Sequence, residues 1–179
     1  MNLKYYVESI LALLKTKGKN WATHSIDKVE DAEEYLSQFQ HLFFDIDDTL
    51  NGDGLGLDKK VCDLLDKYSE THDVVLVTNC SSKRAQQHAD NLNKFNCKAE
   101  LWPVGKKPHY PWLKAEVENR GWSLDKSAMF GDRPTMDIWC AYKAGFAGRF
   151  WVKSWMQKSS PSGLTWYIKK WEWQQIKGT

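Results

Sequence analysis

Four short polar clusters in this chain carry the residue types that phosphate chemistry needs: Asp45-Ile46-Asp47, Thr78-Asn79, Lys106-Lys107, and Asp132 with Asp137. A carboxylate can attack phosphorus and can also ligate a small, hard divalent cation. Hydroxyl, amide and ammonium groups bind phosphoryl oxygens and offset their charge. On an extended chain alternate side chains share a face, so Asp45 and Asp47 point the same way at roughly 6 to 7 Å spacing, while Ile46 goes to the other side. Asp48 is set apart from that pair. Crowding carboxylates costs stability unless a cation or a reaction compensates. Taken alone, the run also reads as an ordinary turn or helix cap.

Each cluster follows an apolar stretch that would deliver it. Leu42-Phe43-Phe44, the β-branched run Val74-Val75-Leu76-Val77, a weaker segment from Lys98 to Trp102, and Ala128-Met129-Phe130 read as strands, and Phe150-Trp151-Val152 as a fifth. Helical spacing fills the intervals. Asp58 caps a helix carrying Val61, Leu64, Leu65 and Tyr68, Ser82 to Phe95 is a polar-faced helix, a third runs from about Tyr110 to Arg120, and Pro134 opens a helix that ends at Gly145. Strands alternating with helices predict an α/β fold, a three-layer Rossmann-like parallel sheet with helices on both faces and right-handed crossovers. The strand exits of such a sheet lie along one edge, where distant residues converge.

Before the first cluster, Leu3, Tyr6, Val7, Ile10, Leu11 and Leu14 form one apolar stripe at helical spacing, accompanied by Lys4, Lys15, Lys17 and Lys19. The stripe either packs on the domain or meets a membrane surface or partner. Residues 27 to 40 read as a second helix. The stretch Asn51 to Gly56, with three glycines, is a tight flap or hairpin, or a phosphate cradle lacking the usual lysine and hydroxyl. The expected organisation is one domain over 1–179, with N-terminal helices in 1–40, a catalytic core in 41–152 and a tryptophan-rich segment in 153–179.

Composition narrows the class. The chain has 179 residues, 25 Lys and Arg against 23 Asp and Glu, and a net charge of +2, so no nucleic-acid footprint stands out. Nucleic acid is not thereby excluded as a partner. Four separated cysteines without any CxxC read as reduced thiols rather than a disulfide frame or zinc site. No apolar run is long enough to cross a bilayer, and the expected location is the cytoplasm, with peripheral membrane contact as the alternative. Ten tryptophans are unusual, five of them between Trp151 and Trp173.

Taken together, the clusters resemble the haloacid dehalogenase superfamily of phosphohydrolases. Its DxDxT motif matches Asp45-Ile46-Asp47-Asp48-Thr49, its second motif Thr78, its third Lys107 before Pro108, and its fourth Gly131-Asp132-Arg133-Pro134-Thr135-Met136-Asp137. Lys106 competes with Lys107 for the third. The intervals between motifs leave no room for an inserted cap domain, since a βαβ unit itself takes about 30 residues. Among capless members the chain is most similar to the phosphatidylglycerophosphate phosphatase-like branch, through Lys107-Pro108, the Asp132 to Asp137 spacing, and Gly163-Leu164-Thr165 before a basic run. It departs from that branch at Asp48 and Arg133-Pro134.

The resemblance implies a phosphatase with Asp45 as nucleophile and Asp47 as general acid and base. Thr78, Asn79 and Lys107 would hold substrate, and Mg2+ would bind Asp45, the Asp47 main-chain carbonyl, Asp132 and Asp137. Phosphatidylglycerophosphate is one expected substrate, with Trp166, Trp171 and Trp173 beside Lys169 and Lys170 at headgroup depth. A soluble nucleotide or sugar phosphate and a nucleic-acid end are the alternatives. A binding module that kept the fold is the non-enzymatic one, and a dehalogenase of the same superfamily would not need Asp47.

Overall fold

A computed structural model describes residues 3–50, 57–103, 106–153 and 163–176. The expected glycine-rich flap at 51–56 lies outside the described residues. Six strands form one sheet, all parallel: β1 (His24–Ile26), β2 (His41–Phe44), β3 (Asp73–Val77), β4 (Glu100–Trp102), β5 (Ser127–Gly131) and β6 (Gly148–Val152), in the spatial order β1-β6-β5-β2-β3-β4. The helices are α1 (Leu3–Thr16), α2 (Lys59–Ser69), α3 (Ser82–Lys94), α4 (Tyr110–Asn119), α5 (Trp139–Ala144) and α6 (Gly163–Ile176).

Alternation along the strands divides the core in two. Leu42, Phe44, Leu76 and Phe130 pack on one face with Val61, Cys62 and Leu65 of α2 and Leu92 of α3. Phe43, Val75, Val77 and Met129 pack on the other with Leu113 and Val117 of α4 and Cys140, Ala141 and Ala144 of α5. Burial on both faces is why these strands are continuous apolar runs. Local signals end the helices: Asp58 accepts a hydrogen bond from Val61 N, Ser81 from Arg84 N, and Gly145 closes α5 in the left-handed region.

The sheet has one strand more than expected. His24-Ser25-Ile26 is too short and mixed to read as a strand, and becomes one by pairing with Phe150-Trp151-Val152 at the sheet edge. The segment 1–40 is therefore not made of helices alone. Val29–Gln38 winds as a 3-10 helix, not the α-helix expected over 27–40. Ten residues at the 3-10 rise reach roughly 20 Å, against about 15 Å for an α-helix. The longer reach suits a link that must pass β6 and β5 to arrive at β2.

The N- and C-terminal helices close the β6 side of the second face. Leu13 of α1 and Trp21 join Ile138, Trp139 and Trp151 in a third apolar cluster, against which Trp171, Trp173 and Ile176 of α6 pack. Trp171 and Trp173 are thus partly buried against the protein. Among the described residues no helix is long and apolar enough to cross a membrane.

Candidate active site

The chain leaves β2 toward β3 on one side and returns to β5 on the other, so β2 ends at the switch point of the sheet. Asp45 stands there, one residue past the strand, its N–H donating to Phe130 O at 2.9 Å. Beside it, β5 ends in Gly131 and Asp132, and β3 in Val77 and the buried Thr78. Sheet register alone thereby gathers three of the four clusters.

The fourth arrives from the loop after β4, and it brings Lys107. The Lys107 ammonium is 2.5 Å from Asp45 Oδ1 and 2.7 Å from Asp137 Oδ1, while Lys106 is exposed. This places Lys107, and not its neighbour, in the site. Asn79 fixes that loop: its amide nitrogen donates to Lys107 O at 2.6 Å and its carbonyl oxygen accepts from Lys107 N at 3.1 Å. Its side chain is spent on the loop, a different task from the substrate contact expected of it. The Lys107–Pro108 peptide is cis.

Asp137 reaches the lysine from a π-turn, Pro134–Ile138, in which the N–H groups of Met136, Asp137 and Ile138 converge on Arg133 O. Its second oxygen accepts from Arg133 N at 3.0 Å. Such turns inside a helical stretch are often found at functional sites. The turn folds back so closely on β5 that a Cβ at Gly131 would stand 2.2 Å from Asp137 Cβ. Glycine is required there for the approach. Trp151 Nε1 donates to Asp132 O at 3.0 Å and holds the other acid from β6.

Asp45, Asp132 and Asp137 are all buried, with carboxylate oxygens within 4.8 Å of one another, an arrangement able to hold a metal ion. Burial pushes the Asp45 carboxyl up to about 7 against the pull of Lys107, and it pushes Asp132 well above the usual carboxylate range against the pull of Lys169. Burial also opposes the Lys107 charge, but Asp137 and Asp45 outweigh it and raise that group. Four carboxylates, of Asp45, Asp48, Asp132 and Asp137, face the two ammonium groups of Lys107 and Lys169, and a small hard cation would favour their charged forms.

Asp47 lies apart from this cluster, with Oδ1 2.5 Å from Arg84 Nη2 on α3. Behind it His88 is fully buried with neither ring nitrogen hydrogen-bonded among the described residues, and burial lowers its pKa. Thr49 Oγ1 is likewise buried without such a partner.

The residues that sequence reasoning missed come from α6. The Lys169 ammonium contacts Asp132 Oδ2 and lies 2.6 Å from Asp48 Oδ2, where Asp48 adopts a positive φ of 62°. Three residues on, the buried Glu172 accepts from Arg133 Nη2 at 2.7 Å and from the Thr135 hydroxyl. Lys169 was expected at a headgroup layer, and burial overturns that. The available signal was the spacing of Lys169 and Glu172, which puts opposite charges on one helical face.

A parallel α/β sheet with a buried carboxylate–lysine cluster at its switch point is the class that this fold and site define. Compared with models of protein families, with curated proteins and with solved structures, the chain finds no match in any of the three.

Proposed function

We propose that this chain is a magnesium-dependent phosphohydrolase of the haloacid dehalogenase type, without a cap domain, that cleaves phosphomonoesters through an aspartyl-phosphate. The observation that carries the reading is the Lys107 ammonium shared by Asp45 and Asp137 at the end of the central strand, with Asp132 alongside. Its capless form is supported by α2 and α3 being the only helices described between β2 and β3 and between β3 and β4.

The three buried carboxylates are hard oxygen donors, and Asp45 and Asp132 with the Asp47 main-chain carbonyl would hold the ion. Bound there, magnesium would polarise the phosphoryl oxygens and neutralise charge on nucleophile and phosphate. The chain's own groups do the rest. An Asp45 oxygen forms the new bond to phosphorus as the bond to the leaving oxygen breaks, and Asp47 gives its proton to that oxygen. Asp47 then takes a proton from water as the water attacks the phosphorus of the aspartyl-phosphate, which frees Asp45 and inorganic phosphate. Lys107 offsets charge on the nucleophile and the phosphoryl group, and the Thr78 hydroxyl binds a phosphoryl oxygen. Asp137 and Asn79 hold Lys107 in place.

The substrate class is a phosphomonoester, with phosphatidylglycerophosphate as the member that the resemblance adds. In a screen of lipid, nucleotide, sugar and aryl phosphates, the purified chain should hydrolyse the aryl phosphate with magnesium and not with excess chelator. Asp45→Asn should remove turnover and keep the wild-type circular dichroism. Turnover that survives complete metal removal, or that persists in Asp45→Asn, would defeat the reading.

A further inference from the structure

Helix α1 has two different sides. Ser9 and Leu13 are buried against the domain, Ala12 packs with the Trp21 and Trp139 cluster, and Tyr5 stacks on His109 with ring centroids 4.3 Å apart. The opposite side is apolar and faces outward. Leu3 is 68% exposed, Val7 48%, Leu11 61% and Leu14 45%, and these are four of the six exposed large hydrophobic side chains among the described residues. At 3.6 residues per turn they fall within a stripe about 80° wide. An isolated exposed leucine needs no explanation, but a continuous stripe of them does.

Charge indicates what covers it. The helix carries Lys4 and Lys15 at the border of the stripe, Lys17 and Lys19 follow it, and Glu8 is its one acid. We propose that the outward face of α1 is a docking surface for an anionic lipid bilayer. The apolar stripe would enter the acyl boundary while the lysines meet the lipid phosphates. Fourteen residues are too few to span, so the helix lies in the plane of the surface. A second copy of the chain is disfavoured by the same charges, because pairing two such helices sets lysines against lysines with only Glu8 to offset them. Helix α1 packs on Pro134–Ile138, the turn that carries Asp137, so docking would hold the carboxylate cluster near the lipid.

The inference stands apart from the phosphatase reading, because binding alone tests it. The full chain is sedimented with vesicles of phosphatidylcholine, and with the same vesicles containing phosphatidylglycerol, at low and high salt, and its mass in solution is measured by light scattering. The expected result is salt-sensitive binding to the anionic vesicles only. Val7→Gln with Leu11→Gln should weaken it roughly tenfold or more, with an unchanged melting temperature, since both side chains are exposed. Lys4→Glu with Lys15→Glu should weaken it as well and retain the fold. Absence of binding, equal binding to neutral vesicles, or binding indifferent to both double variants would overturn the proposal. A stable dimer that Val7→Gln with Leu11→Gln dissociates would overturn it in favour of a second copy.

Discussion

Lys169, on the last helix, sets its ammonium between Asp132 at the end of β5 and Asp48 beyond β2, with 2.6 Å to the Asp48 carboxylate. A residue far along the chain thereby neutralises two acids from different strands. Burial opposes its charge, but Asp132 and Asp48 outweigh that and raise its pKa. Removing one partner of a buried pair leaves the other charge uncompensated. Lys169→Met should therefore lower the unfolding free energy by about 3 kcal/mol in denaturant titrations. Magnesium should raise the melting temperature of this variant more than that of the wild type, since the ion supplies the missing positive charge. Equal magnesium shifts would show that Lys169 does not compensate the cluster.

The two adjacent lysines make a clean comparison, because one is buried between carboxylates and the other is exposed. Lys107→Ala should lose about 2 to 4 kcal/mol of transition-state stabilisation, roughly 30- to 1,000-fold in kcat/KM, while Lys106→Ala stays near wild type. Steady-state kinetics on an aryl phosphate decides this. Comparable losses for the two variants would contradict the assignment of Lys107.

Gly131 tests how tightly the π-turn must close on β5. A methyl group there collides with Asp137, which holds Lys107, so the turn has to move as a unit. Gly131→Ala should cost about 1 to 3 kcal/mol of stability, the usual range for overpacking. It should also reduce kcat on folded protein, because the Lys107 ammonium follows Asp137. A folded variant with wild-type kcat would show that the close approach serves packing alone.

His88 should make the protein's stability sensitive to acid. Burial holds its folded pKa below the ordinary 6.5, so the unfolded chain binds the proton more readily. Its contribution to stability is complete above pH 6.5 and is lost as pH falls through the folded value. Melting temperatures measured on either side of pH 6.5 should drop on the acid side. In His88→Leu that part of the drop should vanish, at little cost at neutral pH, because neither ring nitrogen makes a hydrogen bond among the described residues. An unchanged acid profile in the variant would exclude His88 as its source.

What the sequence determined by itself is local. The continuous apolar runs at 42–44, 74–77 and 128–130 specified buried parallel strands, and the polar residues immediately after them could only emerge at the sheet's carboxyl edge. Asp58 and Gly145 marked helix ends because caps act within one turn. Tertiary structure decided the rest. His24–Ile26 is a strand only because β6 offers it a partner. The choice between Lys106 and Lys107 depends on how Asn79 clamps their loop to the end of β3. Lys169, which reads as a headgroup-depth charge beside tryptophans, and Glu172 are buried because α6 packs beside the π-turn and finds Asp132, Asp48, Arg133 and Thr135 there. A charge's partner lies across the fold, and nothing in its own neighbours along the chain records the distance.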